Sequence, residues 1–254
     1  MYYYYRNTEE MIMSILKDVQ FSIFTNSRIE PTTELVNSLL TDINAIKKYE
    51  FVPNLITNKN VDLIANTIQT NNNISFVTLD QSVNIACMNE RIDVTIRDIN
   101  NSLDNNLDDY IAFARSALVL IMEKTHVYSN RLAINVSYLS KEVSDFIQNT
   151  GVGKKLCKTL DFYKNQTLVE WSTRANVRKC IRLDNDELLN IITDISSVID
   201  NHSGKNRFLC HMDINTVYEN TGYRFSSANI EQFEREVLPI INEIKKNYEE
   251  VNNG

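Results

Sequence analysis

Only five glycines and three prolines are spread over the 254 residues of this chain. Tight turns draw on glycine for positive φ and on proline for a preset φ. A chain poor in both is therefore constrained to few, long elements, and a sandwich or barrel of many short strands is disfavoured, as are long linkers. With 43% hydrophobic and 23% charged residues, it can bury a sizeable core as one large domain or two small ones. Asparagine is abundant, with runs at Asn71-Asn72-Asn73 and Asn105-Asn106. Together with the Ile, Lys and Tyr content, this reads as the coding bias of an AT-rich genome.

Periodicity outlines the elements. Residues 9 to 24 begin with a helical pattern and continue into Val19, Phe21, Ile23 and Phe24, which suit helix and strand equally. Leu35, Leu39, Ile43 and Ile46 predict a helix over about 32 to 48, opened by Pro31 and ended by Pro53. A polar segment follows, with a short helix expected around Val61 to Ile68. Val83, Ile85 and Cys87, then Ile92, Val94 and Ile96, alternate as a hairpin whose other face carries Arg91, Asp93, Thr95 and Arg97. Tyr110 to Lys124 is apolar almost all round and predicts a central helix. Leu132 to Tyr138 alternates as a strand, and Ser140 is placed as the cap of a short helix carrying Val143, Phe146 and Ile147.

The second half reads in the same order. Strands are expected at 159 to 171 and 174 to 183, then a helix over 185 to 200 whose start carries Asp184 and Glu187 at capping-box spacing. A strand through Phe208, Cys210, Met212 and Ile214 precedes a closing helix from about 227. That helix carries the stripe Ile230, Phe233, Val237, Ile241, Ile244, Tyr248 and Val251, with Pro239 inside it. The expected fold is α+β: two similar β-β-α-β-α units with an antiparallel sheet and helices packed on one side, preceded by an N-terminal segment. The boundaries fall at 1–60, 61–150 and 151–254, with one continuous domain as the alternative.

The net charge of −7 gives the whole molecule no general attraction to nucleic acid or acidic membranes. Met1 to Arg6 lacks the basic start and apolar core of a signal peptide, and no apolar run is long enough for a membrane helix, so a cytoplasmic chain is expected. Cys87, Cys157, Cys180 and Cys210 are far apart and without metal spacing, which predicts four buried thiols and no metal.

One segment departs from the acidic background. Lys154, Lys155, Lys158, Lys164, Arg174, Arg178, Lys179 and Arg182 face only Asp161 and Glu170, a local balance of +6 within a chain of −7. With Tyr163 and Trp171 as stacking surfaces, these residues are the candidate nucleic-acid-binding set, and charges dressing the wet face of a hairpin are the plainer reading. Gly151-Val152-Gly153-Lys154-Lys155 lacks the spacing and the hydroxyl of a phosphate loop and reads as a turn. His211 and Asp213, two apart on one strand, share a face and are the candidate catalytic or metal-ligating pair. No third member, nucleophile elbow or dinucleotide fingerprint accompanies them, so no cofactor is expected.

The order of hairpin, central helix and strand, with Phe51-Val52-Pro53-Asn54, Asn89-Glu90-Arg91-Ile92, Met212-Asp213-Ile214-Asn215, Arg224-Phe225 and Phe233-Glu234, resembles a sporadically distributed, uncharacterised prokaryotic protein family of similar length. The resemblance implies an accessory protein that travels with defence or mobile-element genes, and it carries over no catalytic residue. The leading expectation is a non-catalytic binding or accessory protein of a prokaryotic or phage system that engages a partner protein or nucleic acid. The rivals are a metal-dependent nuclease or hydrolase built from separated carboxylates and His211, and a structural homodimer on the C-terminal helix.

Overall fold

A computed structural model describes residues 14–46, 48–62, 67–99, 103, 106–143, 146–156, 165–200 and 203–253, without the side chains of 58–62, 67–71, 146–150, 252 and 253. In chain order the elements are β1 (Ile15–Thr25), α1 (Thr33–Ala45), β2 (Phe51–Asp62), β3 (Thr67–Thr78), β4 (Val83–Met88), β5 (Arg91–Arg97), α2 (Leu107–Thr125), β6 (Ser129–Leu139), α3 (Phe146–Leu156), β7 (Ser172–Arg182), β8 (Asp186–Ile199), β9 (Asn206–Thr216) and α4 (Ser227–Asn253). The nine strands form one sheet in the order β2-β3-β4-β5-β1-β6-β9-β8-β7, and every pairing is antiparallel.

This topology corrects the expected pair of β-β-α-β-α units. The first half runs strand, helix, four-strand meander and helix; the second runs strand, helix, three-strand meander and helix. Each meander ends beside the strand that opened its half, so β1 and β6 meet at the centre. Residue 60 falls inside β2 and residue 150 inside α3.

One segment left open between helix and strand is resolved, and several local expectations are overturned. Residues 15–25 are the central strand β1, and its helical look comes from a bulge between Leu16 and Asp18, which shifts the buried series to Leu16, Val19, Phe21 and Ile23. Of the segment read as a short helix around Val61 to Ile68, residues 61–62 close β2 and 67–68 open β3, and 63–66 lie outside the described residues. Pro53 lies in β2, an edge strand, which is where sheets accommodate proline. Residues 185 to 200 form β8 rather than a helix. Finally, Gly151 to Lys155 lies inside α3, and 165–171 holds no strand. The Ser140 hydroxyl, expected as a helix cap, instead donates to Lys141 O at 2.7 Å and accepts from Phe208 N at 2.9 Å.

The core lies between one sheet face and the helices. α2 packs on β1 and β5, with α1 and α4 beside it, and α4 also covers β6 and β9. Thr32 caps α1 by accepting from Leu35 N, while Asn106 opens α2 and His126 closes it in the left-handed region. Gln81 and Asn89 take positive φ at the turns before and after β4, the role glycine usually fills. The stripe Ile230, Phe233, Val237 and Ile241 of α4 is fully buried on its own sheet, so that seam is closed to a second copy. Phe21 meets Phe233 with ring centroids 5.9 Å apart, a tilted pair that adds about 0.5–1.5 kcal/mol to its burial. Among the described residues no helix is long and apolar enough to cross a membrane.

Candidate functional site

Alternation sends half of each strand's side chains to the helices and half to the opposite face. The strand registers assemble that second, helix-free face. Across the central strands, Gln20 lies opposite Thr95 and Asn135, and Asn135 lies opposite Asp213. Ser22 lies between Asp93 and Ala133, and His211 between Ser137 and Asp194. The result is a broad polar floor. Its small side chains Ser22, Ser137, Asn190 and Asn215 are buried although none of the described helices packs on this face.

The floor is internally bonded. Asp93 accepts from Ser22 Oγ at 2.5 Å, Gln20 Nε2 at 3.0 Å and Arg91 Nε at 2.7 Å. Asp213 and His211 do share this face, as their spacing implies. Asp213 accepts from Asn215 Nδ2 at 2.8 Å, and His211 Nδ1 stands 2.9 Å from Ser137 Oγ. Among the described residues, no group of three His, Cys, Asp or Glu side chains is placed to hold a metal ion. The buried Ser137 hydroxyl offers no accessible nucleophile. These groups can donate and accept hydrogen bonds across the floor, and the geometry goes no further toward catalysis.

The cationic segment is divided. Lys154 and Lys155 lie on α3. Arg174, Arg178 and Arg182 project from β7 onto the open face, while Lys179 alternates to the other side. Arg178 Nη2 reaches Glu219 at 2.6 Å, Arg182 Nη1 reaches Asp186 at 2.7 Å, and Arg174 stands 3.9 Å from Asp194. Glu219 is held below its ordinary pKa by its own backbone N–H and then by Arg178. Trp171 is no stacking platform: it is buried, 5.4 Å from the Phe208 ring, with Gly153 of α3 against its indole. Lys158, Tyr163, Lys164 and Cys157 lie outside the described residues. Cys87 and Cys210 are buried, and burial pushes both thiols up to about 12, but Cys180 is exposed because β7 is an edge strand.

Reading the sequence segment by segment missed a partition that only the registers reveal. In β1 and β4 to β9, the cations placed on the open face are Arg91, Arg97, Arg131, Arg174, Arg178, Arg182 and Arg207, with Asp18, Asp93, Asp186, Asp194 and Asp213 as anions. Glu187 and Lys179 point to the helix side, and Lys17, at the β1 bulge, is drawn to Asp98 at 2.9 Å. The signal available in advance was the alternating Arg91, Asp93, Thr95 and Arg97. No protein-family model matches the sequence, and no curated protein matches it.

Proposed function

We propose that this is a non-catalytic binding protein that engages a partner protein through the open face of its sheet. The observation that carries this reading is the partition just described: on that face of β1 and β4 to β9 the strand cations are arginines and the strand anions aspartates, set among asparagine, glutamine and serine. Protein interfaces are enriched in arginine and depleted in lysine and glutamate, because a planar guanidinium forms directed bonds with less hydration to remove. Electrostatics favours a protein over a nucleic acid here, since Arg91, Arg174, Arg178, Arg182 and Arg207 already face carboxylates and a net charge of −7 remains. Phosphate binding draws on uncompensated cations. The resemblance to sporadic accessory proteins agrees with a partner encoded nearby, in a defence or mobile-element system.

The test compares faces. Wild-type protein, an open-face variant (Asn135→Arg) and a helix-face variant (Glu123→Arg) are immobilised and exposed to extract of the source cells. A protein retained by wild type and Glu123→Arg, and lost with Asn135→Arg, supports the reading. Retention that is equal for all three, or lost only with Glu123→Arg, overturns it.

A further inference from the structure

At one end of the open face, register sets three side chains in a row. Phe24 of β1 lies opposite Arg91 of β5 on one side and Arg131 of β6 on the other. Both guanidinium carbons stand over its ring, 5.0 Å and 5.1 Å from the centroid, so one aromatic face serves two cations. Arg91 is satisfied nearby, with Nε on Asp93 at 2.7 Å and Nη2 on Ser22 Oγ at 3.2 Å. Arg131 differs. Among the described residues no carboxylate lies within ion-pair distance of it, and its Nε is buried with no acceptor.

The surroundings form a receptacle. A cleft of about 450 Å³ opens beside this row, with Phe24, Arg91, Asp93 and Glu90 in its wall and Met88 and Tyr223 at its rim; Arg131 stands outside that lining, on the other side of Phe24 from Arg91. Both rim residues are exposed, Met88 by 37% and Tyr223 by 45%. The rim is also held in place. Next to Tyr223, Arg224 clasps Glu187 through Nε at 2.6 Å and Nη2 at 2.7 Å, and its Nη1 donates to the carbonyls of Asn130, Asn220 and Gly222. Arginine, tyrosine, methionine and phenylalanine around a preformed notch are the residue types that concentrate binding energy at protein interfaces.

We infer that Arg131, beside this notch, receives a carboxylate side chain of the partner protein while an adjoining aromatic residue enters the notch against Met88 and Tyr223; the inference rests on the open face being the partner surface. A guanidinium takes a carboxylate in paired, charge-assisted hydrogen bonds. Phosphate shares that chemistry, but Glu90 in the cleft lining repels a dianion more strongly than a single negative charge.

The test reads the arginine Nε–H signals of the ¹⁵N-labelled full chain by NMR, with the Arg131 signal assigned by its loss in Arg131→Gln. The probes are acetyl-Glu-Phe-amide, its neutral analogue acetyl-Gln-Phe-amide, and inorganic phosphate. Saturable movement of the Arg131 signal is expected with the Glu peptide, with the Gln analogue about tenfold weaker and phosphate weaker than the Glu peptide. Tyr223→Ala, at the exposed rim, weakens the Glu peptide several-fold without altering the backbone spectrum, and so keeps the test open if Arg131→Gln fails to fold. Equal response to the Glu and Gln peptides, phosphate binding as tightly as the Glu peptide, or no movement overturns the inference. Failure here beside loss of retention in Asn135→Arg sinks the notch and leaves the open-face reading standing. Peptide binding beside undiminished retention in Asn135→Arg does the reverse.

Discussion

The β4–β5 hairpin and the β7 edge of the sheet are built from the same antiparallel ladder and held by different forces. In β4 and β5 the residues Val83, Ile85, Ile92, Val94 and Ile96 are sealed beneath the helices. At the edge, β7 is exposed along almost its whole length, and even Val177, on the helix side, is 58% exposed. What ties that edge down is the polar Arg224–Glu187 clasp and Arg178 on Glu219, with the Trp171 plug under α3 as its apolar anchor. Strand pairing alone therefore does not determine how a region is stabilised, because cover decides whether burial or ion pairing carries it.

The sharpest way to break this comparison is one substitution in each region. Val94→Asp buries a carboxylate with no partner and is expected to cost more than about 4 kcal/mol, enough to unfold a protein of ordinary stability. Val177→Asp, made on the same face of the bare edge, should stay within about 0.5 kcal/mol of wild type. Urea denaturation followed by circular dichroism measures both, and similar losses at the two sites would dissolve the distinction.

The clasp comes next in size. Arg224 and Glu187 are largely buried, and Arg224 also satisfies three carbonyls and stacks 4.2 Å over the Phe225 ring. Arg224→Ala leaves a buried carboxylate behind and should cost about 3–5 kcal/mol. Glu187→Ala combined with it should cost much less than the sum of the two single changes. Additive losses would mean that the clasp does not act as a unit.

The same contrast explains which parts of the fold the sequence discloses. β4, β5, β6 and β9 are read correctly because one face is buried and one is wet, so the period of two survives. β8 is misread because Leu188 and Ile192 face one way while Leu189 and Ile191 face the other. Apolar residues on both faces erase alternation and leave spacings of three and four that imitate a helix, and Asp184 and Glu187 complete the disguise. In the fold Asp184 accepts from Asn229 and Gln232 of α4, while Glu187 takes Arg224. His211 and Asp213 fall on one face, as their spacing requires. The Phe24, Arg91 and Arg131 row was out of reach, since its members are strung along the chain and meet only through register.

Where α3 meets the bare edge, two glycines of one helix should respond with opposite sign. A Cβ on Gly153 would stand 2.7 Å from the Trp171 indole, while one on Gly151 meets nothing within 4 Å. Gly153→Ala should therefore displace the plug and cost about 1–3 kcal/mol. Gly151→Ala should stabilise by about 0.5–1 kcal/mol, the ordinary gain from removing a glycine in a helix. Thermal denaturation resolves the two, and a loss for Gly151→Ala would show that α3 is held differently from this account.

The smallest effect belongs to the covered region, at the turn between β3 and β4. Asp80 accepts from Thr78 Oγ1 at 2.6 Å, Ser82 N at 3.1 Å and Ser82 Oγ at 2.8 Å. These bonds, that from Thr78 foremost, hold its carboxyl below the ordinary value of 3.8. A depressed acid stabilises the fold above its unfolded pKa, and the contribution is lost as pH falls through the folded one. Asp80→Ala should cost about 0.5 kcal/mol at pH 7, the low end for a hydrogen-bonded group that water also reaches. The gap between variant and wild type should then close as the solution is acidified below the ordinary carboxyl value. A gap that persists unchanged in acid would mean the Asp80 side chain acts by turn geometry alone, its charge contributing nothing to the covered region.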